Sequence, residues 1–238
     1  MKFSRKTILT FLGFTILAGI AISCNSQETP PPSAEGSAEA TSTPKPTVEV
    51  AWFSATNDPG PFFRFVAIIT NPDKRAIAGI ETEWVAYDAN NTIVGSIKGP
   101  RPVVPPADTL EYVGGAGGAN LSGVPAKVVV NIVDSGRFVD NYAPHFAVSK
   151  VELKPDFFPN EYVVRAEITT GSEEVASADI QAYALLKNAN GAIVGAEFWP
   201  AQGLPEKVPA HTAFTAQIGA IKPTDKPTSA EVVSFADK

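Results

Sequence analysis

Nine residues, YDANNTIVG from Tyr87 to Gly95, return as KNANGAIVG from Lys187 to Gly195, 100 residues further on. In that frame Ile68 matches Ile168, Thr70 matches Thr170, and Ala76, Ala78 and Ile80 match Ala176, Ala178 and Ile180. Ala89 and Asn90 match Ala189 and Asn190, the triplet Ile93, Val94, Gly95 matches Ile193, Val194, Gly195, and Pro100 matches Pro200. One gapless frame from residue 68 to residue 100 marks a duplicated module. VPPADT (Val104–Thr109) against VPAHT (Val208–Thr212) needs a small shift, which a surface loop tolerates. A chain committed to two copies must find a fold in which each closes a core of its own.

The module reads as strands and turns. Apolar runs rich in Val, Ile, Phe and Tyr are punctuated by Pro, Gly, Asn and Asp. In the first copy they predict strands at Val48–Ala55, Phe62–Thr70, Ile80–Asp88, Thr92–Ile97, Thr109–Val113 and Lys127–Val133. In the second they predict Phe146–Leu153, Tyr162–Thr169, Asp179–Lys187, Ala192–Phe198, Thr212–Ile218 and Ala230–Phe235. No segment after the N-terminal leader keeps a helical period. The expectation is an all-β chain with two tandem β-sandwich domains, 47–138 and 145–238. Alternation assigns the faces: Ile80, Thr82, Trp84 and Ala86, with Ile180, Ala182, Ala184 and Leu186, point inward, and Glu81, Glu83, Asp179 and Gln181 point outward. The repeated motif is then a hairpin turn, because DANN and NANG supply residues that accept left-handed backbone.

The N-terminus has another character. Lys2, Arg5 and Lys6 precede an uncharged apolar run, Thr7 to Ser23, that is short for a bilayer span of roughly 20 residues. It ends in IAISC, and Cys24 is the only cysteine of the chain, so an intrachain disulfide is excluded. This stretch resembles a bacterial lipoprotein signal peptide (1–23) with its lipobox, with Ala21 where leucine is commonest. The resemblance implies lipidation of Cys24 and, with two or three acyl chains, a stable membrane anchor on the extracytoplasmic side. Asn25 after the cysteine resembles an outer-membrane sorting pattern, so inner and outer membrane both stay open. Residues 24–46, through NSQETPPPSAEGSAEATSTPKP, have no aromatic or large aliphatic side chain. They cannot bury enough apolar area to order themselves and read as a disordered tether with a reach of about 25 Å.

WVAYD (Trp84–Asp88), followed by a turn and Ile-Val-Gly, resembles the FxLYD pattern of small extracytoplasmic β-sandwich domains in bacterial lipoproteins, with Trp for Phe and Ala for Leu. The second copy, ALLKN (Ala184–Asn188), keeps little beyond the turn and joins through the internal repeat. The resemblance implies immunoglobulin-like modules and brings no catalytic residues with it.

The other motifs point away from cofactor chemistry. Asp88 and Asn90 lack the remaining ligands of a calcium loop and read as turn formers. His145 and His211 are the only histidines and lie far apart, which leaves copper or zinc without a ligand set. GGAGG (Gly114–Gly118) lacks the Gly-Lys-Ser/Thr of a phosphate loop and reads as a flexible loop or distorted strand end. A G-x-S-x-G nucleophile signature is missing, and Glu173 and Glu174 read as solvated loop acids. Three of the 19 basic residues lie in the leader, so the remainder carries 16 against 25 acids, a formal charge of −9. That balance disfavours nucleic acid as a partner.

Phe62–Thr70 is apolar on both faces, with Phe63, Phe65, Ala67 and Ile69 facing Val163, Arg165, Glu167 and Thr169 of the second copy in the alignment. Two readings follow: burial against the other domain or the Gly-rich segment, or a partner surface centred on Phe63 and Phe65. The functional expectation is a membrane-anchored, non-catalytic binding, adhesion or envelope-scaffold module with an envelope protein or glycan as partner. The alternative is an envelope carbohydrate hydrolase using paired carboxylates.

Overall fold

The computed structural model describes residues 45–99, 102–107, 110–118, 120–140, 142, 145–199 and 201–236. The leader, Cys24 and the tether through residue 44 lie outside the described residues, as do Pro100, Thr109 and Pro200. The first copy contains β1 (Thr47–Thr56), β2 (Phe62–Thr70), β3 (Ala76–Ala78), β4 (Glu81–Tyr87), β5 (Ile93–Lys98), β6 (Glu111–Gly117), β7 (Lys127–Asp134) and β8 (Arg137–Val139). The second contains β9 (Ala147–Pro155), β10 (Tyr162–Thr169), β11 (Val175–Ala176), a 3-10 turn at Ser177–Asp179, β12 (Ile180–Lys187), β13 (Ile193–Trp199), β14 (Lys207–Val208), β15 (Ala213–Ile221) and β16 (Ser229–Ala236). The chain is all-β: that turn is the only helical segment among the described residues.

Each copy builds two three-stranded antiparallel sheets. These are β1-β2-β6 and β5-β4-β7 in the first, and β9-β10-β15 and β13-β12-β16 in the second. The short pairs β3-β8 and β11-β14 close the ends. Inward side chains of β2 and β6 (Phe63, Phe65, Ala67, Ile69, Val113) meet Trp84, Ala86, Val128 and Val130 in one core. Val164, Ala166, Ile168, Ala216 and Ile218 meet Ile180, Ala182, Ala184, Leu186 and Val232 in the other. Even positions of β4 and β12 face these cores, as the alternation requires.

A third apolar cluster joins the copies. Trp52, Val66 and Tyr112, from the opposite face of β1-β2-β6, pack with Leu185, Ala196 and Val233 of β13-β12-β16. Four sheets therefore stack in the order β5-β4-β7, β1-β2-β6, β13-β12-β16, β9-β10-β15. This explains why β2 is apolar on both faces: it lies in an inner layer, with odd residues in its own core and Val66 and Ile68 against the other copy. Its counterpart β10 lies in an outer layer and leaves Arg165 exposed.

Three sequence expectations change. Gly114–Gly117 are part of β6, paired to β2 with Gly115 opposite Phe65 and Gly117 opposite Phe63. Side chains from both neighbouring layers come within 3 Å of where a Cβ would stand at Gly114 and Gly115, so glycine is what fits in this strand. Asp179 belongs to the 3-10 turn rather than to the following strand. The interval of 100 holds for the β4–β5 and β12–β13 hairpins but not upstream. Asn71 Nδ2 donates to Pro105 O at 2.9 Å, and its structural equivalent Thr170 Oγ1 donates to Pro209 O at 2.8 Å. Ile77 bridges Val104 where Val175 pairs with Val208. The matches of Ile68 with Ile168 and Thr70 with Thr170 therefore pair opposite faces of the strand: Ile168 is core, and Ile68 faces the other copy.

Candidate functional site: a cleft between the inner sheets

Where β2 and β6 face β12 and β13, packing is incomplete and a cleft of about 390 Å³ remains. Its walls are largely rings: Trp52, Phe62, Phe65 and Trp84 from one copy, Tyr183 and Phe198 from the other. Strand geometry delivers them. A register shift between Val50 and Trp52 reverses the parity of β1, so Val48 and Val50 pack on the first core while Trp52 turns to the second copy. The Trp52 indole N–H is buried and has no hydrogen-bond partner among the described residues. Such an orphan costs about 1–3 kcal/mol unless a water or ligand atom reaches it.

The glycines of β6 set how closely the rings approach. A Cβ at Gly114 would stand 2.6 Å from Tyr183 Cε1, and one at Gly115 would stand 2.3 Å from the Trp84 ring. Both contacts are closer than carbon atoms tolerate, so the Gly-rich segment is required for the aromatic lining. Phe65 and Trp84 meet edge to face at 4.7 Å, and Tyr183 and Phe198 lie 5.7 Å apart.

Three polar side chains complete the lining: Arg64, Gln181 and Glu197. Arg64 Nη2 and a Glu197 carboxylate oxygen are 3.2 Å apart, which ties β2 to β13 across the cleft. The guanidinium also lies 5.3 Å from the Phe62 ring centroid. Burial pushes the Glu197 carboxyl above its ordinary range, and Arg64 and the Phe198 N–H offset this only in part. Glu197 is the one carboxylate among the described residues lining the cleft. An outer groove of about 640 Å³ shares Trp52, Phe62, Arg64 and Ala196 with it and adds Ser54, Thr56, exposed Asp58 and Lys222. Lys222 Nζ is 3.1 Å from Glu161.

The residues singled out in the sequence fall as follows. Phe63 and Phe65 are each 1% exposed, so they present no outer partner surface. They are core residues stacked at 6.1 Å over the β6 glycines, and Phe65 alone also borders the cleft. Asp88 Oδ1 accepts from the N–H groups of Asn90 and Thr92, both at 2.8 Å, and Asn188 Oδ1 does the same for Asn190 and Ala192 at 3.0 and 3.1 Å. Asn91 and Gly191 take positive φ. His145 Nε2 is 3.0 Å from buried Glu111, beside Tyr142, whose hydroxyl burial pushes up to about 12. His211 is exposed in a turn at φ 54°. Glu173 and Glu174 are exposed, the latter 3.2 Å from Lys207. No group of three or more metal-ligating side chains occurs among the described residues. Arg64, Gln181, Glu197 and Phe198 were not singled out, since each is an ordinary strand residue until two distant hairpins stack. The signal that could have found them was GGAGG beside a strand apolar on both faces.

No protein-family model matches this sequence, and no curated protein matches it.

Proposed function

We propose that the protein is a non-catalytic binding module of the bacterial envelope, anchored through lipid on Cys24, with the cleft between its inner sheets as the ligand site. The resemblances to a lipoprotein leader and to the FxLYD pattern support the address and the immunoglobulin-like character of the two copies. The observation that carries the binding reading is the cleft itself. It has the size, the aromatic lining and the few convergent polar groups of a ligand pocket at a domain boundary. Its single carboxylate is held in an ion pair, whereas glycoside hydrolysis calls for two acids flanking the bond. The hydrolase reading draws on one fact, the raised Glu197 carboxyl.

A photo-crosslinking amino acid in place of Phe198, irradiated in the native envelope, tests the proposal together with cell fractionation. An adduct formed from position 198, and release from the membrane fraction on Cys24→Ser, are the expected results. A chain that stays membrane-bound without Cys24 would remove the anchor, and silence at position 198 would remove the cleft.

A further inference from the structure

We propose that the cleft binds a neutral saccharide of two or more sugar units; this rests on the binding reading above and names its ligand class. Aromatic rings outnumber aliphatic chains in the apolar lining, where Trp52, Phe62, Tyr183 and Phe198 stand with Val66 and Ala196, and aromatic surface matches the C–H face of a pyranose better than it matches a flexible acyl chain. The polar side chains of the lining are planar. The guanidinium of Arg64, the amide of Gln181 and the carboxylate of Glu197 each present two hydrogen-bonding atoms in one plane, the spacing that neighbouring sugar hydroxyls bridge.

Charge narrows the class. Arg64 is paired with Glu197 and Lys222 with Glu161, so the cations lining the two cavities are already compensated. The chain beyond its leader is strongly acidic, which disfavours anionic polymers. The continuation from an aromatic cleft into an outer groove lined by Ser54, Thr56 and Lys222 suits a ligand that repeats. Their volumes leave room for more than one ring.

The test is titration of the full-length protein, in lipid nanodiscs rather than a sugar-headed detergent, with neutral gluco-, N-acetylgluco-, manno- and galacto-oligosaccharides of two to six units. Tryptophan emission and calorimetry are read together. The expected result is saturable binding of at least one series, tightening with chain length. Phe198→Ala and Gln181→Ala should each weaken it about tenfold or more, while Phe157→Ala, an exposed ring outside the cleft, leaves it unchanged. If no neutral saccharide binds but an apolar fluorescent probe, an extended peptide or an anionic glycan does so in a Phe198-dependent way, the saccharide class is overturned and the cleft survives. If nothing binds, both proposals fall. Cleavage of a bound saccharide would keep the class and overturn the non-catalytic reading.

Discussion

Glu197 carries its charge where water is scarce, and the balance of forces on it yields a pH dependence. Burial is the largest influence on its carboxyl and raises it above the ordinary value of 4.5; Arg64 opposes this and loses. An acid whose folded-state pKa is raised binds its proton more tightly in the fold, so ionisation costs stability. That cost is absent below about pH 4.5 and fully present above the raised value. Glu197→Gln should therefore unfold at a higher temperature than the parent at pH 7, with the gap closing as pH falls from the raised value to 4.5. Arg64 is 39% exposed and stays hydrated when its partner is neutral, so losing the pair adds little. Thermal melts of both proteins across pH 3.5–8 decide it, and a gap that widens on acidification would contradict the argument. The two turns offer a simpler case. Asp88→Ala or Asn188→Ala each removes two backbone hydrogen bonds and should cost about 1 kcal/mol in urea unfolding, while Asn90→Ala costs little. These turns were legible in the sequence because their chemistry is local. The Arg64–Glu197 pair was not, because it exists only after two hairpins from different copies stack.

At the scale of elements, β6 separates what pattern can reveal from what packing decides. A run of four glycines in five residues says loop, since glycine loses the most conformational freedom when it is ordered. Here the strand holds because Phe63, Phe65, Trp84 and Tyr183 occupy the space that side chains would need. Gly115→Ala should destabilise the fold by about 1–3 kcal/mol through overpacking, whereas Gly171→Ala, with open space around its Cα, should be near neutral. Chemical denaturation of the two variants reads the difference directly. Strands with a clear apolar run, such as β2 and β10, could be bounded from sequence to the residue. The two- and three-residue pieces β3, β8, β11 and β14 could not, since so short a segment shows no period. The gapless repeat frame failed upstream of Ile80 for a related reason: identity of residue type at Ile68 and Ile168 does not record which way each side chain points.

For the whole molecule, the decisive fact is that the two copies meet through non-equivalent sheets, β1-β2-β6 of one against β13-β12-β16 of the other. A heterologous contact of this kind could in principle continue, with β9-β10-β15 of one molecule stacking on β5-β4-β7 of the next. The charges on the outer faces oppose this. Arg165 and Glu167 stand on β10 where β2 has Val66 and Ile68, and Glu81 and Glu83 stand on β4 where β12 has Gln181 and Tyr183. The apolar contact between copies also couples their unfolding. The parent should melt in one calorimetric transition, and Leu185→Glu, which places an unpaired charge at a site 0% exposed, should split it in two or abolish it. Removing the outer charges should have the opposite effect. With Arg165→Val and Glu167→Val together, the outer face of β10 gains the apolar character that Val66 and Ile68 give β2, and the chain from Asn25 onward should form concentration-dependent end-to-end oligomers in sedimentation velocity. Adding Glu83→Lys to that double variant changes the charge on the face the oligomer would cover, so it should alter assembly without altering the melting temperature of the monomer. If the double variant sediments like the parent at every concentration, the charged faces are not what confines the stack to four layers, and the cause would lie in the shape of the outer sheets.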